Sequence, residues 1–238
     1  MYKIRLSVLL ALLSLSLAWP HAAVAAANPN PGVLPPNSKA YGKTLGEWSA
    51  EWWQWAAGIP AAVNPLRDET GENCDLDQSG KVWFLAGTQG GAAERVCTIP
   101  AGKAVLFPLL NVVFFNCPEE SFTEEQMREI LEGFLGSLTI NLECTIDGVP
   151  LEDLTSYRTQ SPAFVMTLPD DNIFTGGCAD DGPPADDYFP VVSDGWWILH
   201  SPFSEGEHEI SFRGEVVEFG FFVEVTYHIT VVDAGDDD

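Results

Sequence analysis

The chain has 238 residues, of which 46% are hydrophobic, and 35 Asp and Glu face 11 Lys and Arg, for a formal net charge of −24. Such a surface repels phosphate backbones and anionic lipid heads, which argues against nucleic-acid and membrane-surface binding. The length suffices for one large domain or two small ones that fold without a metal or disulfide staple.

The first 25 residues are typical of a secretory signal peptide. Lys3 and Arg5 form a charged start, residues 6–19 are apolar, and Ala-Val-Ala at 23–25 is a small-x-small cleavage site. The apolar segment is too short for a comfortable membrane span, and no later stretch is long and uncharged enough to be one. We predict a secreted or periplasmic protein, cleaved near Ala25, whose net charge becomes −26 because Lys3 and Arg5 are removed.

The mature chain is predicted to begin with an extended leader and a tryptophan-rich helix. Residues 26–41 are rich in Pro, Asn and Gly and have few signs of regular structure. Residues 44–57 are predicted to be helical, because Thr44 and Glu47 form a capping box and Pro60 ends the run. An apolar stripe at helical spacing, which needs a large apolar partner, consists of Leu45, Trp48, Trp52 and Trp55.

The rest of the chain is predicted to be mainly β. A second helix is expected near 124–135, where Thr123 and Gln126 form another capping box. Strands are expected at 82–86, 95–99, 104–115, 138–146, 163–168, 195–201, 208–213 and 221–232. Pro108 argues for an edge or a bend, and 169–190 is predicted to be a long acidic loop. This pattern is typical of a single β-sandwich, immunoglobulin-like or jelly-roll, with two helices packed on it and one domain over 42–238.

Three stretches carry a resemblance: EWSAEWWQWAAGIP at 47–60, VWFLAG with VCTIPAGKAVLFPLLN at 82–87 and 96–111, and GEHEISFRG with VEVTYHITV at 206–214 and 223–231. Together they resemble a group of exported bacterial proteins of unassigned function. The closing stretch is also similar to the last hairpin of many immunoglobulin-like domains. The resemblance implies an exported β-rich protein and carries over no activity and no catalytic residue.

All 5 cysteines follow the signal peptide, in a part of the chain where disulfides persist if it is exported. The odd number leaves at least one free or paired with another chain. We predict a Cys74–Cys97 disulfide, because the two residues flank one strand-and-loop unit. A second pair of Cys117 and Cys178 is a weaker expectation, whereas Cys144 shares the inward face of a strand and is interpreted as a buried thiol.

Two acidic loops are candidate calcium sites. The first resembles the start of an EF-hand loop, but Ala86 stands where the twelfth position needs a carboxylate. A calcium site that does not follow the EF-hand pattern is still an alternative in this loop, with Asp68, Asp75 and Asp77 as its ligands. The second loop carries paired aspartates over 170–187, among them Asp180 and Asp181, which a cation would steady. In both loops the alternative is a solvated acidic turn.

Tryptophans and histidines provide the remaining site candidates. Aromatic rings suit the apolar faces of sugars, and Trp53, Trp196 and Trp197 are the best candidates for an exposed sugar-binding platform, with core packing as the alternative. A zinc or copper site is possible in principle if the strands of three histidines adjoin: His200, His208 and His228. The hydrolase and cofactor motifs Gly-x-Ser-x-Gly, His-Glu-x-x-His and the phosphate loop are absent from the sequence.

We therefore expect an exported, acidic, disulfide-containing binding protein rather than an enzyme. Its expected ligand is a polysaccharide or another cell-surface component, with Ca²⁺ as a candidate cofactor. Two alternatives stay open. One is a hydrolase that attacks an extracellular polymer through carboxylates, and the other is a subunit of a surface assembly whose leader or last strand pairs with a neighbour.

Overall fold

The computed structural model describes residues 29–176, 178 and 182–233. Of these residues, 42% lie in strands and 18% in helices, so the predicted mainly-β class with two helices is confirmed. The helices are α1 Leu45–Gly58 and α2 Glu124–Gly136, with short 3₁₀ turns at Ala61–Val63, Leu154–Tyr157 and Val217–Phe219. The strands are β1 Lys39–Ala40, β2 Lys43–Thr44, β3 Val82–Phe84, β4 Gly91–Pro100, β5 Ala104–Phe115, β6 Ile140–Ile146, β7 Val149–Pro150, β8 Arg158–Gln160, β9 Phe164–Leu168, β10 Asp186–His200, β11 Gly206–Val216 and β12 Phe221–Val232.

The described strands form three sheets. The first large sheet has the order β3-β5-β10-β8, with β9 also paired to β10, and the second has the order β4-β12-β11-β6-β7. Strands β1 and β2 form a separate two-stranded sheet. The β3–β5 and β4–β12 pairs are parallel, and the others are antiparallel. The predicted single β-sandwich is not confirmed, since a third sheet is present.

The first large sheet is covered on both faces. On one face, Phe107 of β5 stacks on Phe212 of the second sheet, with ring centroids 5.2 Å apart. On the other face, Trp52 of α1 contacts Trp197 of β10, with ring centroids 5.3 Å apart. Successive strand residues face opposite sides, so the neighbouring Trp196 lies on the Phe107 side. This double cover explains why β10 is buried without interruption from residue 191 to residue 200.

Helix α1 is attached to its surroundings through its indoles. Its capping box is present, because Glu47 N donates to Thr44 Oγ1 over 3.2 Å and Thr44 N donates to Glu47 Oε2 over 2.7 Å. Three indole nitrogens each donate to a backbone carbonyl outside the helix over 2.9 Å: Trp48 to Ala40, Trp52 to Leu85 and Trp55 to Leu76. The tryptophan stripe is therefore core packing with directional hydrogen bonds, as the helical spacing indicated.

Helix α2 covers the other end of the first sheet. Its capping box is formed by Thr123 and Gln126, and it runs one residue beyond the predicted 124–135. Met127 and Leu131 are buried against Val192 of β10 in a small hydrophobic cluster. This cluster is separate from the main core, which joins α1 and both large sheets.

Three strands, β4, β10 and β11, extend beyond their predicted bounds, and Pro108 lies inside β5. Strand β10 begins at Asp186, within the predicted acidic loop, because Asp186 and Asp187 pair with β9 although both are exposed. Strand β4 begins at Gly91, four residues before the predicted start, where residues 91–94 pair with β12. Pro108 lies opposite Trp197 of β10, beyond the part of β5 that pairs with β3, and the register of the β5–β10 pair shifts beside it, in agreement with the predicted edge or bend. That bulge accommodates the missing N–H.

We expect Trp52→Ala to lower the free energy of unfolding by about 3–5 kcal/mol, because it removes a fully buried aromatic ring and leaves a cavity. Urea unfolding followed by fluorescence measures the change. The control Phe219→Ala removes a ring that is 63% exposed, and it should lower the free energy of unfolding by less than about 1 kcal/mol. Equal losses in the two variants would contradict the assignment of the helix stripe as core.

Candidate functional site

The most unusual buried group in the described chain is the side chain of Arg95 on β4, which is 1% exposed. Its Nε donates to Asp68 O over 2.7 Å, and its Nη1 donates to Ala86 O over 2.8 Å and to Tyr227 Oη over 2.7 Å. Tyr227 donates in turn to Ala86 O over 2.9 Å. Burial raises the pKa of Tyr227, and the nearby charge of Arg95 offsets this only in part. The phenol therefore stays neutral. The three hydrogen bonds of the Arg95 guanidinium go to two carbonyl oxygens and one phenol oxygen, not to a carboxylate.

Arg95 lines a cavity of about 240 Å³ that we call the arginine pocket. The other residues of its wall are Leu66, Arg67, Asp68, Glu69, Thr88, Gln89, Gly90, Ala92 and Ala93. The side chain of Arg67 is held by residues outside its own loop. Its Nε donates to Gln89 Oε1 over 2.9 Å, and its Nη2 donates to Ile173 O over 3.1 Å. Within the described residues, Arg95 Nη2 and Arg67 Nη1 make no hydrogen bond.

Among the described residues, the two pocket arginines differ from Arg128, Arg158 and Arg213 in forming no ion pair with an acidic residue. Arg128 pairs with Glu124, Arg158 with Asp194 and Glu132, and Arg213 with Glu224 and Glu215. Among the residues that the structure describes, neither Arg67 nor Arg95 forms an ion pair with a carboxylate. In a chain with 35 acidic residues, two arginines without a carboxylate partner in the described chain line one cavity.

Asp68 lies in the wall of the pocket, and its carboxylate is hydrogen-bonded to the backbone of its own turn rather than to an arginine. Its carboxylate accepts hydrogen bonds from the backbone N–H groups of Thr70, Gly71 and Asn73 over 2.8–2.9 Å, and from the Thr70 hydroxyl over 3.0 Å. Partial burial raises the pKa of Asp68, but these four hydrogen bonds outweigh burial and lower the pKa below its usual value. Both carboxylate oxygens of Asp68 therefore hold the turn at residues 70–73.

That turn closes one side of β4. Val96 N donates to Thr70 O over 2.9 Å, and Gly71 has a φ of +90°, which favours glycine. A Cβ on Gly71 would also lie 2.3 Å from Val96 O, so no other residue fits there. The Cys74–Cys97 disulfide joins the same loop to β4, two residues beyond Arg95. Together with the hydrogen bond from Arg95 to Asp68 O, these links attach the loop at three points around the pocket.

The predicted calcium ligands do not form a cluster in the described chain. No group of three or more His, Cys, Asp or Glu able to hold a metal occurs among those residues. Asp68 is occupied by N–H donors, and Asp75 and Asp77 are exposed. Asp180 and Asp181 lie outside the described residues, so the calcium site expected in their loop stays a prediction.

The tryptophans predicted for sugar binding lie in the interior. Trp53, Trp196 and Trp197 are 7%, 6% and 0% exposed. Trp53 is stacked on Phe174, and the guanidinium of Arg158 lies 5.6 Å from the ring of Trp196. The three rings do not share an open face, because the alternation of β10 and its two-sided cover bury both of its tryptophans.

The histidines considered for a metal site bind different partners. His200 is buried beside Phe203, and burial lowers its pKa. His208 Nδ1 lies 2.8 Å from Asp147 Oδ2, whereas His228 Nε2 lies 2.9 Å from Glu94 Oε1. A shared site is therefore not formed by these side chains.

His208 also resembles part of a Ser-His-Asp triad, because its Nε2 lies 3.4 Å from the hydroxyl of Ser204. However, Nε2 is closer to the backbone carbonyl of Ser204, at 3.0 Å. Each ring nitrogen of His208 thus faces an oxygen that only accepts, the Asp147 carboxylate at Nδ1 and the Ser204 carbonyl at Nε2. These contacts attach the turn at Asp147 to the β10–β11 loop.

The described cysteines agree in arrangement with the expected pairs. Cys117 is bonded to Cys178 in addition to the Cys74–Cys97 pair, and Cys144 is free and buried. Burial raises the pKa of the Cys144 thiol, which makes it a poor nucleophile. Two disulfides indicate an extracellular or periplasmic protein.

Sequence reasoning did not select Arg67 or Arg95. A signal was available, because Arg95, Cys97 and Ile99 alternate along β4 and all three face the core. A charged residue in the apolar register of a strand is a candidate for a buried functional group. The pairing of Arg95 with Arg67, however, depends on contacts to Gln89 and Ile173, which no local pattern indicates.

Comparison with protein-family models, curated proteins and solved structures found no match. No helix in the described ranges has the length and apolar character needed to traverse a bilayer.

We expect Asp68→Asn to lower the free energy of unfolding by about 1–3 kcal/mol at pH 7, since an amide nitrogen then faces backbone N–H donors. The lowered pKa of Asp68 means that its stabilisation is present above the unfolded-state pKa and is lost as the pH falls through the folded-state pKa. The gap between the two proteins in urea unfolding should therefore narrow in acid.

The matched control is Asp75→Asn, which changes an exposed aspartate of the same loop. Its stability should stay within about 0.5 kcal/mol of the parent protein. A gap for Asp68→Asn that stays constant from pH 7 to about pH 2, well below the usual Asp pKa, would show that the carboxylate does not hold the turn.

Proposed function

We propose that this protein is an exported, non-catalytic binding protein whose arginine pocket holds an anionic group of its ligand. The observation that carries the proposal is that Arg67 and Arg95, which lack carboxylate partners in the described chain, line the same cavity. Removal of the predicted signal peptide, with export to an oxidising compartment, agrees with the two disulfides.

The chemistry of the two side chains favours a carboxylate or another oxyanion. Burying a charge without a counter-ion is expensive, and the carbonyl and phenol dipoles around Arg95 compensate for it only partly. A bound anion would supply the missing charge and accept from the N–H groups on Arg95 Nη2 and Arg67 Nη1. Planar guanidinium groups match the oxygen spacing of carboxylates and phosphates, and such charge-assisted hydrogen bonds are the strong ones.

The arginine pocket is also rigid enough to recognise a ligand. Arg95 is fixed by three hydrogen bonds, Arg67 by two, and the surrounding loop by a disulfide. A binding group held in place before the ligand arrives loses less conformational entropy on association. The packing of Phe107 on Phe212 supports a sandwich of the two large sheets as the scaffold.

The other hypotheses have less support. A surface assembly through the last strand is disfavoured, because β12 is hydrogen-bonded on both sides, to β4 and β11. A hydrolase needs an acid and a base in one cleft, and the arginine pocket offers Glu69 together with an Asp68 that is already occupied. A polysaccharide ligand stays open if it carries acidic groups, and calcium stays a prediction for the loop around Asp180.

We expect acetate, phosphate and sulfate to shift the NMR signals of Arg67, Arg95 and Gly90 in a saturable manner. In Arg67→Gln the affinity should fall about tenfold or more, because a hydrogen bond to a charged group contributes about 1.5–3 kcal/mol. Arg213→Gln is the control for loss of one positive charge, since Arg213 pairs with Glu224 and does not line the pocket. Its affinity should equal that of the parent protein.

Two results would overturn the proposal. One is a shift that grows linearly with salt and does not saturate at these three residues. The other is an equal response in Arg67→Gln and Arg213→Gln, since general salt effects do not depend on which arginine is removed.

A further inference from the structure

The arginine pocket carries charges of both signs, and only some of them are used by the protein itself. Glu69 lines the cavity and is exposed. In the part of the chain that the structure describes, its carboxylate makes no ion pair or hydrogen bond. Arg67 lies two residues away but donates instead to Gln89 and Ile173. Residues of both charge signs therefore line one small cavity, and Glu69 forms no ion pair with either arginine in the described chain.

We propose that the ligand of the arginine pocket is a zwitterion of the amino-acid type. Its carboxylate binds Arg67 and Arg95, and its ammonium group binds Glu69. This inference rests on the proposed anion site and adds the second charge. An ammonium group donates three hydrogen bonds and needs acceptors, which the exposed carboxylate of Glu69 supplies.

The overall charge favours a zwitterion over a simple anion. The predicted mature chain has a net charge of −26, and such a surface repels anions at long range. A zwitterion has no net charge, so it approaches without this repulsion and still presents a carboxylate to the two arginines. The acidic surface and the arginines of the pocket are thus compatible in one binding protein.

The size and the apolar walls of the pocket agree with a single amino acid. A volume of about 240 Å³ lies below the range of about 300–1,000 Å³ that is common for drug-sized ligands. Leu66, Ala92 and Ala93 provide apolar surface in the wall. The ring of Phe221, which is 39% exposed, packs close to Gly90 at the same wall. An apolar side chain would have these groups to contact.

The test compares amino acids with the same molecules lacking the ammonium group. The pairs are glycine with acetate, alanine with propionate, leucine with 4-methylpentanoate and phenylalanine with 3-phenylpropanoate, titrated by NMR. At least one amino acid should bind tenfold or more tightly than its partner, because charge-assisted hydrogen bonds to Glu69 are made only by the amino acid. In Glu69→Gln this preference should disappear, while carboxylate binding stays the same or improves.

The control variant is Glu72→Gln, which removes an exposed carboxylate of the same loop that does not line the pocket. It should keep the preference for the amino acid. If every amino acid binds no more tightly than its partner, or if Glu69→Gln keeps the preference, the zwitterion inference is wrong while the anion site stands. If neither the acids nor the amino acids bind, the anion site itself is wrong.

Discussion

The buried guanidinium of Arg95 is the interaction on which this architecture depends. It hydrogen-bonds to Asp68 from the loop after α1, to Ala86 next to β3 of the first sheet, and to Tyr227 of the second sheet. Three parts of the chain that are distant in sequence therefore meet at one charge. A buried charge without a paired carboxylate is rare in a protein core, and it requires the surrounding carbonyl groups to be aligned.

The rest of the region follows from keeping that charge in place. The Asp68 carboxylate accepts hydrogen bonds from the backbone of its own turn. This orients the backbone carbonyl of Asp68 towards Arg95. The Cys74–Cys97 disulfide and the contact of Gly71 with Val96 fix the same loop on β4. On the opposite side, α1 and its tryptophans fill the other face of the first sheet. The loop that stabilises this region is thus the one that carries the proposed ligand site.

Local sequence signals predicted the elements whose patterns are strong. The two capping boxes located both helices to within one residue at most ends, and the apolar run at β5 and the alternation of β12 gave their strands. The start of β10 was missed because Asp186 and Asp187 pair with β9 while facing solvent, which composition cannot distinguish from a loop. The third sheet, β1 with β2, has only two residues in each strand and so leaves no periodic signal.

The candidate site was harder to predict, because it depends on absences as much as on contacts. The sequence predicted a sugar site at tryptophans and a calcium site at aspartates. However, Trp53, Trp196 and Trp197 are buried, and the Asp68 carboxylate faces N–H donors. What distinguishes Arg67 and Arg95 in the described chain is that they form no ion pair, whereas Arg128, Arg158 and Arg213 do, and only the tertiary structure contains that information.

The most direct test of this account is a crystal structure of the protein grown or soaked with selenate, an oxyanion whose position is visible from its anomalous signal. We expect an anomalous peak in the cavity within hydrogen-bonding distance of both Arg67 and Arg95. A well-ordered cavity without that peak, in crystals that bind selenate at other positions, would contradict the claim that the two arginines form an anion site.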